Sequence, residues 1–161
     1  AQTDVLRKST TQLIANDALK MTLMIHDNTL EDSLQTALKK YARADFLALQ
    51  NKDAQAIEVL SEILTTHKGE KIEDEALLKQ AELYQKTGQY KKAEANYLKI
   101  IAVYKDEILA DDAYFNLANL YEHQLQDPQK AKQYYEQIIF DFADSIYFTQ
   151  ARKKYRMLRG R

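Results

Sequence analysis

A chain of 161 residues with 24 acids against 23 lysines and arginines carries a net charge of −1, and at that length about two-thirds of the unfolded surface can be buried in one domain. Three glycines and one proline leave little material for hairpins, and the absence of cysteine excludes a disulfide framework and a thiolate metal site. Ala, Leu, Lys, Glu and Gln abound instead, which favours an all-α protein. No apolar run approaches the roughly 18–20 residues that span a bilayer. The chain opens on Ala1 with neither a start methionine nor a signal pattern, as expected of a processed or excised end. The net charge hides an asymmetry: residues 151–161 hold six cations and no acid, or +6, which leaves −7 for the remainder.

In chain order, the segment over about 3–27 reads as a helix, with Leu13, Ile14, Ala18, Met21, Leu23, Met24 and Ile25 at mixed three- and four-residue spacing. Within it, Ala18-x-x-x-Thr22-x-x-Ile25 matches a pattern that recurs downstream. Two readings stay open: the second half of a truncated repeat, or a plain capping helix. A helix over about 30–50 follows with Leu34, Leu38, Tyr41, Ala44 and Leu47, then the turn Asn51-Lys52-Asp53 and a partner over about 54–67. Lys68-Gly69-Glu70 breaks that helix with a glycine suited to a left-handed C-cap. The next pair spans about 73–87 and 90–104, with Gly88 between them. The third spans about 109–125 and 128–141, where Asp127-Pro128 offers an N-cap acid and a proline at the first helical position. A last helix over about 145–158, capped by Asp144 or Ser145, places Ile146, Tyr147, Ala151, Tyr155 and Leu158 near its buried face.

One pattern occurs three times. Ala44-x-x-Leu47 precedes Ala56-x-x-x-Leu60-x-x-Ile63. Ala81-x-x-Tyr84 precedes Ala93-x-x-x-Tyr97-x-x-Ile100. Ala118-x-x-Tyr121 precedes Ala131-x-x-x-Tyr135-x-x-Ile138. The first alanines lie 37 apart, and the second 37 and then 38 apart. A fixed period of this size signals stacked repeats. Antiparallel helices approach closely only where side chains are small, so alanine fits the crossing point and the larger neighbour fills the space beside it.

These residues resemble the tetratricopeptide repeat. The middle copy fits best, with Leu77, Ala81, Tyr84, Gly88, Tyr90, Ala93 and Tyr97 at the family's consensus places. The third copy has one extra residue in its turn, Leu125-Gln126-Asp127-Pro128, and the first has Leu47 and Leu60 for aromatics. That repeat is about 34 residues long, so the surplus of this chain falls between repeats, over 67–73 and 105–110. The resemblance implies an all-α right-handed superhelix forming one domain over 1–161. Repeats would occupy 37–70, 74–107 and 111–144, with a closing helix over 145–159.

It also implies a function: non-covalent binding of another protein's segment in the groove lined by the first helix of each pair. The groove positions are Tyr41, Asp45 and Ala48; Glu75, Leu78, Glu82 and Gln85; and Asp112, Phe115, Asn119 and Glu122. An exposed Phe115 beside Tyr41 and Leu78 would anchor the partner, and the acids would orient it. Some family members clamp a C-terminal carboxylate with lysine, asparagine and arginine. Here Tyr41 and Asp45 replace two of these, so a basic or mixed apolar and basic segment fits better. Phe140 to Tyr147, with Ala151-Arg152 and Leu158-Arg159-Gly160, resembles the closing segment of bacterial cell-envelope members, which favours the periplasm or envelope over the cytoplasm.

Reactive chemistry finds no support. His26, His67 and His123 sit on separate elements without metal-ligand spacing, and no phosphate-binding or nucleophile-elbow motif occurs. Asp111-Asp112 and the Asp141, Asp144 pair lie at helix N-termini, where the dipole explains them. The expectation is no enzyme, no metal and no cofactor. Two other roles stay open: self-association through the N-terminal face, and attachment to an anionic surface through Arg152, Lys153, Lys154, Arg156 and Arg159. Nucleic acid is disfavoured because the rest of the chain is acidic.

Overall fold

The computed structural model describes residues 32–160, side chains included from Gln35 onward. The helix expected over about 3–27, with its two readings and His26, lies outside the described residues. Among the described residues there are seven helices and no strand: α1 Asp32–Leu49, α2 Asp53–Thr66, α3 Glu73–Lys86, α4 Tyr90–Val103, α5 Ala110–His123, α6 Pro128–Asp141 and α7 Phe148–Arg159. Each packs chiefly on its neighbours in sequence, which is the quasi-one-dimensional order of a solenoid.

The repeated pattern is the core. Ala44, Ala81 and Ala118 of the first helices are fully buried, as are Ala56, Ala93 and Ala131 of the second. Leu60, Tyr97 and Tyr135 are also fully buried, followed one turn later by Ile63, Ile100 and Ile138. Small residues let the helix axes approach, and a large residue at a fixed offset fills the gap.

Turns within pairs are short and use left-handed backbone: Asn51 at φ 57°, Gly88 at φ 76° and Gln126 at φ 53°. Asp127 caps α6 as expected, its Oδ1 accepting the Lys130 N–H at 3.0 Å. Connections between pairs are longer and built alike, spanning 67–72, 104–109 and 142–147. The capping residue, His67, Tyr104 or Phe142, donates its N–H to the carbonyl of Ile63, Ile100 or Ile138. Its own carbonyl accepts from Glu70, Glu107 or Ser145, whose carbonyl accepts from Glu73, Ala110 or Phe148. Gly69, at φ 82°, lies inside the first connector rather than at the cap of α2, which is His67.

The third connector corrects the expected start of α7. Residues up to Tyr147 belong to the connector, so the helix begins at Phe148, the two expected caps lie before it, and Asp141, expected at a helix N-terminus, is the last residue of α6. The Ser145 hydroxyl instead donates to Asp111 Oδ2 at 2.6 Å and accepts the Tyr147 N–H at 3.1 Å. Ile146, expected near the buried face, is 85% exposed.

Each connector delivers a first helix onto the preceding second helix through one register: Ile72 and then Ala76, Gln80 and Leu83 of α3; Leu109 and then Ala113, Leu117 and Leu120 of α5; Tyr147 and then Ala151, Tyr155 and Leu158 of α7. In α1 the same register reads Gln35, Lys39, Arg43 and Phe46, and all four are exposed.

Candidate functional site

Helices α1, α3 and α5 present their equivalent positions side by side. Tyr41, Leu78 and Phe115 occupy one rung, and Asp45, Glu82 and Asn119 the next. Tyr41 is half-buried, and its hydroxyl is pushed up, first by burial and then by Asp45, Glu82, Glu75 and Asp74. Four carboxylates from two successive first helices therefore act on one hydroxyl. The charge of Glu82 also raises the hydroxyls of Tyr97 and Tyr147, after burial in both cases, so it acts on residues of three elements.

Ion pairs and hydrogen bonds tie these helices together. Lys79 Nζ of α3 reaches Asp45 Oδ1 of α1 at 2.6 Å, and Lys154 Nζ of α7 reaches Glu122 Oε2 of α5 at 3.0 Å. The Tyr135 hydroxyl lies 2.9 Å from Asn119 Oδ1 and 2.8 Å from Glu122 Oε2. Burial raises the Glu122 carboxyl, but hydrogen bonds from Lys154 and Tyr135 outweigh it and hold the group below the usual carboxylate range. The Tyr147 hydroxyl donates to Asp112 Oδ1 at 2.6 Å.

Two expectations change. Phe115 is not an exposed anchor; only 7% of it is accessible. The Tyr147 ring stacks on it, centroids 4.3 Å apart, and Tyr135 meets it edge-on at 6.0 Å. Tyr147, the last residue of the third connector, thus covers Phe115, whereas Tyr41 and Leu78 stay half-buried. The basic patch also divides: Arg152, Lys153, Arg156 and Arg159 are exposed, whereas Lys154 is half-buried on Glu122. Sequence reasoning missed Lys79, and it placed Tyr147 near a buried face without its stack on Phe115. Lys79 and Lys154 hold the same place in their helices, and that recurrence was the available signal.

Among the described residues no group of His, Asp and Glu is arranged to hold a metal. His67 Nδ1 lies 3.1 Å from Glu70 Oε1, and His123 Nε2 lies 3.6 Å from Glu122 Oε2. No described helix is long and apolar enough to cross a membrane.

Antiparallel helix pairs stacked in chain order, alanine at every crossing and a recurrent connector define an all-α helical-repeat protein. The tetratricopeptide repeat family matches residues 72–139, the span of α3 to α6. The crystal structure of a tetratricopeptide repeat protein from Parabacteroides merdae ATCC 43184 is similar, with a TM-score of 0.64 and 19% identity. The alignment covers 98% of this chain and 59% of that one, and at this identity the likeness is one of fold. No curated protein matches the chain. Residues 72–139 thus match the tetratricopeptide repeat, a repeat that generally mediates protein–protein interaction.

Proposed function

We propose that the chain binds a segment of another protein along the groove face of α1, α3 and α5, without chemistry, and that this segment is basic or mixed apolar and basic. The observation that carries the reading is the environment of Tyr41, whose hydroxyl is pushed up by burial and by Asp45, Glu82, Glu75 and Asp74. Negative charge acting on a half-buried aromatic residue, even with Asp45 paired to Lys79, favours a cation that brings apolar surface with it. Tyr41 and Leu78 supply contact area at little entropic cost, and the acids set orientation and exclude acidic segments. The stacked helices hold these groups in place before binding, which reduces the ordering cost. Association through the outer face of α1 has less support, because Lys39 stands where Ala76, Ala113 and Ala151 admit a neighbouring helix.

The test is a peptide array of alternating apolar and basic sequences probed with the labelled chain. A selected peptide is then titrated against wild type and Glu75→Gln/Glu82→Lys. Weaker binding by the variant, with helicity unchanged and affinity falling as salt rises, supports the groove. Equal affinity for both proteins would sink it.

A further inference from the structure

We propose that a second surface, outside the groove, joins two copies of this chain: the loop edge of one copy receives the outer face of α7 from the other. At this edge the second helices end and the connectors begin. Val103, Ile108, Phe140 and Ile146 stand there 60%, 82%, 75% and 85% exposed. Ile108 and Ile146 hold the same place in successive connectors, so the edge carries two β-branched knobs one repeat apart. Between the connectors lies an open cleft of about 480 Å³, to which Ile108 and Phe142 contribute apolar walls. Its charged lining is acidic, with Asp106, Glu107, Asp111, Asp141 and Asp144 against the single Lys105. Large apolar side chains grouped on one exposed edge mark an interaction surface rather than scattered surface residues.

The complementary surface is on the same chain. Helix α7 turns Arg152, Lys153, Arg156 and Arg159 to solvent, together with Met157 at 54% exposure. None of these cations, and none of the five edge acids, enters an ion pair among the described residues. One face is thus acidic and apolar, the other basic and apolar, and a two-fold pairing satisfies both in each copy. The net charge of −1 adds almost no repulsion between copies.

Sedimentation velocity of the full chain over a concentration series, at low and high salt, tests this. Wild type is expected to shift from monomer to dimer with concentration, and less so as salt rises. Arg152→Glu/Arg156→Glu/Arg159→Glu and Asp106→Lys/Asp141→Lys/Asp144→Lys should each remain monomeric, with circular dichroism unchanged. Mixing the two should restore a dimer, because each variant then meets its opposite charge. Ile108→Ser/Ile146→Ser should weaken the dimer at every salt concentration. A wild type that stays monomeric overturns the proposal and leaves the edge to a different partner. A dimer that survives both reversals, or a mixture that fails to associate, overturns it as well. Groove binding reads independently: Glu75→Gln/Glu82→Lys leaves this dimer intact.

Discussion

Tyr147 and Phe115 lie ring on ring, centroids 4.3 Å apart and 12° from parallel, while the Tyr147 hydroxyl donates to Asp112 Oδ1 at 2.6 Å. One residue from the last connector thus meets an apolar and a polar group on the same face of α5. It fastens α7 to the repeat before it. Tyr147→Phe keeps the stack and loses the hydrogen bond, at a cost of about 1 kcal/mol. Tyr147→Ala loses both, at about 2–3 kcal/mol. Urea unfolding followed by circular dichroism gives the two values, and a larger loss from Phe than from Ala would contradict this account.

Glu73 is 2% exposed, with its carboxylate bound by the Gly69 N–H and by Lys99 Nζ. Burial pushes the carboxyl up, but hydrogen bonds from Lys99, Gly69 and Tyr104 outweigh it, and the net shift is downward. Glu94 shifts the same way, burial being overcome by hydrogen bonds from Tyr121 and Lys91. A folded value below the unfolded one means the stabilisation is complete above the ordinary glutamate range and is lost as pH falls through the folded value. Stability should therefore decline below about pH 4. Glu73→Gln should cost about 1–3 kcal/mol at neutral pH and flatten the acid side of the stability curve. Denaturant midpoints between acid and neutral pH check both statements.

Ala113 is fully buried, whereas Lys39, its equivalent in α1, is exposed. Ala113→Leu forces extra volume between α4 and α5 and should cost about 1–3 kcal/mol. Lys39→Ala should change stability by less than about 0.5 kcal/mol. Thermal unfolding separates the two, and a strong effect at Lys39 would show that its side chain is held.

Gln126 takes φ 53° in the turn of the third pair, in the left-handed region that Gly88 occupies in the second. Gln126→Gly should stabilise the chain by about 0.5–1 kcal/mol. Gly88→Ala should lose a similar amount, through backbone strain alone because no atom lies within 4 Å of the added carbon. Melting temperatures should move in opposite directions.

What was legible in the sequence is what repeats within it. Ala81, Ala93, Tyr97 and Ile100 have counterparts 37 residues before and 37 or 38 after, and that recurrence marked helix pairs, crossing points and turns. Phe115 failed for a related reason. Its register matched Tyr41 and Leu78, which are half-buried, but its exposure depends on the side chain that the next connector supplies. No local pattern announces that Tyr147 fills that role, since Ile72 and Leu109 hold its place in the other connectors. The start of α7 was misplaced because a serine after an acid looks like a helix cap, although here it bonds Asp111 across to α5.

The three connectors share one length and one set of backbone bonds, so the chain has interchangeable joints. Cutting between Lys71 and Ile72 and rejoining at Leu109 would bring α5 onto α2 through residues of the same kind that it meets on α4: Ala56, Leu60 and Ile63 in place of Ala93, Tyr97 and Ile100. The unit from Ile72 to Ile108 is therefore a cassette, which can be removed or duplicated to change the array's length while every junction keeps its backbone hydrogen bonds.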